Sequence, residues 1–420
     1  MQHKIPVDTL GPQGKHMSHA VDTCVHCGFC LPACPTYKVA QEEMDSPRGR
    51  IFLMKEVLEG SVELEDALPY LDRCLGCLAC EPACPSGVPY RDLITPFRAM
   101  ADDKRKRTVG DRLLRTMILS TLPYPGRFRI AARMAKLALP FRGAFPGGMR
   151  TMLELLPASL PRRAPLPPRI NAEGVRRARV ALLAGCAQQV LDPEINWATA
   201  RVLARNGVEV LIPSGQGCCG SLAAHTGAGR LARRQAERNI EAFPGDVDAI
   251  VTNAAGCGSG MQEYALWLAG TEQEDAARRL SKKVCDVSVF LHELGLRDTG
   301  AIRPPMRVAY HDACHLAQGQ SVKTEPRELL SSIDGVEIVE IADPDICCGS
   351  AGTYNIEQPK IAAELGERKA KAIDATGADA LVTGNIGCMT QIANHLAKLG
   401  HPLPILHTVQ ILDRATAKDR

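Results

Sequence analysis

Cys24, Cys27, Cys30 and Cys34 stand in the order C-x2-C-x2-C-x3-C with Pro35 behind them, and Cys74, Cys77, Cys80 and Cys84 repeat that order before Pro85. Three thiols at this interval share one tight loop and can face one side of an iron–sulfur cube. The fourth thiolate must come from elsewhere. In two-cluster ferredoxins the fourth cysteine of each such run ligates the other cluster. The spacing therefore predicts one [4Fe–4S] cluster on Cys24, Cys27, Cys30 and Cys84. A second [4Fe–4S] cluster falls to Cys74, Cys77, Cys80 and Cys34. Zinc would ask for four ligands in two pairs, not two crossed runs ending in Cys-Pro. Gly28, Gly76 and Ala79 are small enough to let backbone N–H groups approach cluster sulfur. Such a chain moves electrons one at a time.

Eight further cysteines mark an internal repeat. Residues 180–186 and 308–314 each read as a strand ending in cysteine, at Cys186 and Cys314. Cys218-Cys219-Gly220-Ser221 and Cys347-Cys348-Gly349-Ser350 follow. Residues 250–257 and 381–388 each read as a strand running into Gly-Cys, at Cys257 and Cys388. Equivalent anchors lie 128, 129 and 131 residues apart, which implies duplication. Each half keeps four thiols, enough for a further iron–sulfur cluster or a zinc site. The alternative is a relic of duplication whose cysteines pack or form redox pairs. His225, His311 and His315 lie near these loops and read as satisfied structural histidines. Cys285, in the amphipathic segment 282–294, reads as a small buried apolar residue.

The rest of the chain must position these groups. Its 420 residues suggest two or three domains, and 45% hydrophobic content supplies a sizeable core. A net charge of +3 and 4% aromatics argue against nucleic acid as a partner. Seventeen cysteines behind a polar first twenty residues suit metal ligands in a cytoplasmic protein better than disulfides. No stretch of eighteen apolar residues is present to span a bilayer.

Residues 1–20 read as a loosely ordered arm, 21–100 as the two-cluster ferredoxin-type domain, and 101–175 as a helical segment with a Pro-rich linker. Residues 176–300 and 301–420 read as the first and second Cys-Cys-Gly domains. Ser46-Pro47 reads as a helix start. Arg48, Arg50 and Arg73 lie near a cluster in sequence, where they raise its potential, face a partner or form a solvated basic face. Helical periodicity covers 113–122 and 128–139. In the latter, Arg127, Arg129, Arg133 and Lys136 alternate with Ile130, Met134, Leu137 and Leu139. That mix suits a solvated helix face, a membrane surface or a partner subunit. Helices at 195–206, 229–242, 361–376 and 389–399 alternate with strands at 208–212 and 336–341. The fold class is α+β overall: a mostly helical ferredoxin module, then a duplicated α/β region with a mostly parallel sheet. The repeat cysteines fall at the carboxyl ends of strands, where open α/β sheets bind ligands and helix N-termini stabilise thiolates.

The chain resembles the iron–sulfur subunit family of glycolate oxidase (glycolate dehydrogenase). The resemblance rests on residues 24–37, 46–51, 71–88 and 347–354 and on Asn385-Ile386-Gly387-Cys388. It extends to the C subunit of anaerobic glycerol-3-phosphate dehydrogenase and to heterodisulfide reductase D-type subunits. It implies an FAD-linked partner subunit that oxidises a 2-hydroxy acid, most simply glycolate, and an electron relay from that flavin to quinone or another acceptor. It also implies peripheral contact with the cytoplasmic face of the inner membrane. No G-x-G-x-x-G follows a strand here, so FAD is expected only on the partner. No catalytic residue is assigned to this chain. The fuller Cys-Cys-Gly module ends in C-x-x-C. Here the two modules end Cys257-Gly258-Ser259-Gly260 and Cys388-Met389-Thr390-Gln391, each without a fifth thiolate. That argues against the rival reading, a thiol–disulfide reductase.

Overall fold

Ser46 starts the helix Pro47–Glu59 as its sequence suggests: the hydroxyl accepts from the Gly49 N–H at 3.0 Å, and Pro47 occupies the first position. In the computed structural model, which describes residues 3–145, 147–157, 159–297 and 299–417, this helix joins Gly14–Thr23, Leu64–Asp72 and Arg91–Lys104 around one core. Met17, Met54, Leu93, Ile94 and Phe97 fill it. The two ferredoxin-type runs are loops against it, with Cys24 and Cys74 among the buried members. The N-terminal stretch is thus more ordered than a loose arm. Met17, Ala20 and Val21 share one face of Gly14–Thr23 and pack against Arg91–Lys104. Three apolar residues among polar ones carry little signal until that partner helix covers them.

The second half consists of two parallel sheets. Strands β1 (Arg169–Ile170), β2 (Ala178–Leu182), β3 (Val208–Leu211), β4 (Ala249–Thr252) and β5 (Val284–Asp286) lie in the order β1-β3-β2-β4-β5. Strands β6 (Met306–Tyr310), β7 (Val336–Glu340), β8 (Ala380–Val382) and β9 (Ile405–Leu406) lie in the order β7-β6-β8-β9. Apart from antiparallel β1, β3-β2-β4-β5 repeats as β7-β6-β8-β9, all parallel. The duplication seen in the cysteines is therefore a duplication of topology. Helices cover both faces, so the central strands are aliphatic and buried without alternation. Val180, Leu182, Val251, Val308, Tyr310 and Val382 belong to one core shared by the two halves. The C-terminal helix Thr408–Thr416 crosses onto Glu194–Arg205 of the first half, where Asp413 takes both Arg201 and Arg205. Cys285 sits on β5 opposite Val251, partly buried against that core.

His407 fastens the same crossing. Its Nδ1 accepts from the Val409 N–H at 3.2 Å, and its Nε2 lies 2.9 Å from the Asn253 carbonyl. Burial lowers its pKa from 6.5 to about 4. Between those values the unfolded chain takes up a proton that the folded chain refuses, so stability falls as pH drops. The linkage amounts to ~3 kcal/mol. We expect His407→Asn to remove about that much of the acid sensitivity between pH 6.5 and 4 in anaerobic unfolding titrations. An unchanged pH slope would refute it.

Helices Val109–Thr121 and Pro125–Ala138 form where periodicity predicts them. The Pro/Gly-rich stretch beyond them carries a further helix, Gly147–Glu154. Among the described residues no helix is long and apolar enough to cross a membrane.

Candidate metal centres

Each ferredoxin-type run bends through one side chain in the left-handed region: His26 at φ 56° and Leu78 at φ 63°. A non-glycine residue there costs about 1–2 kcal/mol, strain that functional loops carry. The bend groups the thiols. The Cys84 sulfur is an electrostatic neighbour of Cys24 and Cys30. The Cys34 sulfur neighbours Cys77 and Cys80, which also feel Cys74. The fourth cysteine of each run thus stands with the first three of the other. Burial raises the Cys24 thiol and takes Cys30 up to about 11. Burial, then crowding by neighbouring thiols, raises Cys77 and Cys80 well above the ordinary range. Sulfurs packed this way hold protons unless a cationic core replaces them, so the donor set fits an iron–sulfur core. None of the seventeen cysteines is in a disulfide.

Arg50 is not part of a solvated face. It is 1% exposed, as is Asp45. Its guanidinium donates to Asp45 Oδ1 at 2.9 Å, Thr36 Oγ1 at 2.9 Å and the Tyr70 carbonyl at 2.8 Å, and reaches Cys34 Sγ at 3.7 Å. Arg73 donates to the same Asp45 carboxylate at 2.8 Å. Burial pushes the Cys74 thiol up, but Arg50 and Arg98 more than offset that and hold it below its ordinary value. Arg48 stays nearer the surface, bound to Glu43 at 2.7 Å.

The repeat places its thiols on corresponding elements. Cys257 and Cys388 occupy the first turns of helices Ala255–Gln262 and Ile386–Lys398, which follow β4 and β8. Cys314 opens the short helix Cys314–Ala317. The glycine of each Cys-Cys-Gly turn has a positive φ, 91° at Gly220 and 83° at Gly349. A Cβ on Gly220 would meet the Trp267 ring at 2.9 Å, and one on Gly349 the Ala362 carbonyl oxygen at 2.6 Å. Only glycine serves both needs.

In the first half Cys186 and Cys218 are 3.5 Å apart, and Cys218 and Cys257 donate to Cys219. Those donors, helped by Ser221 at 3.2 Å, hold the Cys219 thiol well below its usual value. In the second half the contacts run Cys314–Cys347–Cys348–Cys388. There His311 departs from the expected satisfied histidine. It is buried, neither ring nitrogen has a hydrogen-bond partner among the described residues, and it groups with Cys348 and Cys388. His315 is satisfied on one side, Nδ1 lying 3.0 Å from Ser259 Oγ, while its Nε2 has no partner among the described residues. His225 packs edge-on against it at 4.9 Å.

The second ferredoxin-type run lies against the repeat. Cys77 neighbours Cys314 and Cys347, and all three pack in one small cluster with Leu75 and Tyr354. The Tyr354 hydroxyl donates to the Arg73 carbonyl at 2.9 Å, and Arg91 to the Gly319 carbonyl at 3.1 Å. Nothing in the sequence joins Cys77 to residues 237 or more positions away.

Comparison with known proteins gives the class. Residues 20–88 match the 4Fe-4S dicluster domain, and residues 180–262 and 308–393 each match the cysteine-rich domain. This is a dicluster iron–sulfur protein with paired cysteine-rich domains. It is 36% identical to the glycolate oxidase iron-sulfur subunit of Escherichia coli K12, over 94% of each chain. It is 38% identical to the probable glycolate oxidase iron-sulfur subunit of Bacillus subtilis 168, over 88% of this chain and 87% of that one. The chain belongs to the family of glycolate oxidase iron-sulfur subunits. A solved hypothetical protein from Helicobacter pylori shares the fold at TM-score 0.53 and 11% identity, covering 97% of this chain and 72% of that one.

Proposed function

We propose that this chain is the electron-transfer subunit of a flavin-dependent 2-hydroxy-acid dehydrogenase, with glycolate the substrate oxidised on an FAD-bearing partner. The observation that carries this is the crossing of two four-thiol groups in a chain of this family. Cys24, Cys27, Cys30 and Cys84 hold one [4Fe–4S] cluster, and Cys74, Cys77, Cys80 and Cys34 the other. When bound, the clusters supply one-electron steps between a two-electron flavin and an acceptor such as quinone. The chain's own work is to hold, insulate and orient them. Arg50 and Arg98 place positive charge beside Cys74, which favours the reduced state of that centre. The four thiols of each Cys-Cys-Gly module offer a further metal site or redox thiols, with Cys314 and Cys347 next in line after Cys77.

Cys27 is the one exposed cysteine of the eight. Val25 and Phe29, 65% and 68% exposed, flank it. This is where the flavoprotein docks. Phe29→Ser is expected to weaken flavoprotein binding about tenfold or more at unchanged iron content, read by anaerobic titration. Equal affinity would exclude this face. On Val109–Thr121 and Pro125–Ala138, the exposed Leu113, Ile130, Met134 and Leu137 stand among Arg112, Arg127, Arg133 and Lys136. That surface suits peripheral contact with an anionic membrane on the cytoplasmic side.

The reading is tested by mixing the full chain with its candidate flavoprotein under anaerobic conditions. Glycolate should bleach the cluster absorbance only when both proteins are present, and faster than glycerol 3-phosphate does. Bleaching by glycerol 3-phosphate alone would reassign the substrate.

A further inference from the structure

A cavity of about 590 Å³ lies between the start of helix Pro125–Ala138 and helix Gly229–Ala242. That is within the ~300–1,000 Å³ of small-molecule sites. No step of the electron relay uses it. Among the described residues Cys218 is the one thiol in its lining, so it adjoins the first Cys-Cys-Gly module from outside the thiol group. Arg127, Arg234 and Arg238 surround it. Among the described residues none of the three has a carboxylate partner, and Arg234 makes no hydrogen bond at all. Elsewhere arginines are matched, as Arg201 and Arg205 are by Asp413. Arg234 and Arg238 stand four residues apart on one helix, where like charges repel. An anion supplied from outside would turn that repulsion into attraction.

We propose that this cavity binds a water-soluble phosphate ester with a hydroxylated body. Guanidinium forks pair with phosphate oxygens, and three forks match the three terminal oxygens of a phosphate monoester better than the two of a carboxylate. Two of the forks are held in place before any ligand arrives. Arg127 lies over the Tyr124 ring at 4.5 Å and donates to the Ser120 carbonyl at 3.2 Å. Arg238 donates to the Gly215 carbonyl at 2.8 Å, and a Cβ on Gly217 would crowd its Cδ at 3.3 Å. Side chains held this way lose less freedom on binding. Pro123, Pro125 and Leu231 give the wall an apolar side for a carbon skeleton. Three glutamines also line the cavity. Gln216 spends its amide on the Ala184 N–H at 2.8 Å and the Leu182 carbonyl at 3.1 Å, and Gln189 donates to the Gly185 carbonyl. Gln235 differs. It is 7% exposed, and its amide makes no hydrogen bond among the described residues. A free amide donor beside a free acceptor is met by a hydroxyl, which both accepts and donates. An acyl chain would leave that amide unmet, which sets this ligand apart from a lipid. The ligand would bridge helix Pro125–Ala138 and the first module, a role separate from electron transfer.

The test is anaerobic isothermal titration of the full, cluster-loaded chain. Glucose 6-phosphate is the probe, with glucose and inorganic phosphate as its two parts. Glucose 6-phosphate should bind with a Kd of about 1 mM or tighter, and glucose at least about tenfold more weakly. Arg234→Gln and Arg238→Gln, both at exposed positions, should each weaken the phosphate ester about tenfold, the worth of one charge-assisted hydrogen bond. Gln235→Leu should weaken glucose 6-phosphate and leave inorganic phosphate unchanged, a split that charge alone does not produce. No binding of either phosphate, full affinity in both arginine variants, or glucose bound as tightly as its phosphate ester would each overturn the assignment. So would vesicles containing phosphatidic acid that bind through Arg234 while the soluble ester does not. Neither flavoprotein nor glycolate enters the measurement, so its failure leaves the electron-transfer reading untouched.

Discussion

Cys84→Ser and Cys34→Ser will each abolish the cluster of the opposite run. The structure puts Cys84 beside Cys24 and Cys30, and Cys34 beside Cys77 and Cys80. Cys84→Ser should therefore match Cys27→Ser in its remaining reduced EPR signal, and Cys34→Ser should match Cys77→Ser. Each variant should fall from about eight irons to about four. Electron transfer through the complex should drop by at least the ~10–100-fold that loss of a supporting ligand contact costs at metal sites. Uncrossed ligation gives the opposite pairing, Cys34→Ser with Cys27→Ser, and the EPR comparison separates the two.

The second large effect belongs to Asp45. Among the described residues it is the only carboxylate that hydrogen-bonds the buried Arg50, and it also binds Arg73. Asp45→Ala strands a guanidinium in the core between the two runs. Removing one partner of a buried pair costs about 3–5 kcal/mol. Anaerobic denaturant titration should show a loss of that size. Adding Arg50→Met should recover part of it, because the double variant no longer buries an unpaired charge. It should also shift the Cys74-run cluster to a lower potential, since the positive charge is gone. A double variant no more stable than Asp45→Ala would show that Arg50 acts by packing alone.

The sequence shows the parts whose signals are local. Cysteine spacing within a loop reveals the two runs, and recurrence of Cys-Cys-Gly reveals the repeat. Strand composition reveals the parallel sheets, because strands covered on both faces read as aliphatic runs. Features that depend on distant partners are hidden. Arg48, Arg50 and Arg73 read alike, as cluster-tuning, partner-facing or solvated arginines, until Asp45, Thr36 and Tyr70 close around Arg50. Helix Gly14–Thr23 reads as a loose arm until Arg91–Lys104 covers its apolar face. His311 reads as a satisfied structural histidine, and only the folded surroundings show that it lacks hydrogen-bond partners among the described residues. A sequence signal for it did exist: the half-to-half alignment sets it opposite Leu183. The approach of Cys77 to Cys314 and Cys347 is a product of tertiary packing, and no spacing encodes it.

The central claim is that this chain carries electrons on two [4Fe–4S] clusters. Anaerobic iron and acid-labile sulfide analysis, joined to EPR of the dithionite-reduced chain, tests it most directly. The account predicts about eight irons and about eight sulfides per chain, with two reduced cluster signals that interact magnetically. Zinc in the ferredoxin-type runs with no labile sulfide would contradict it.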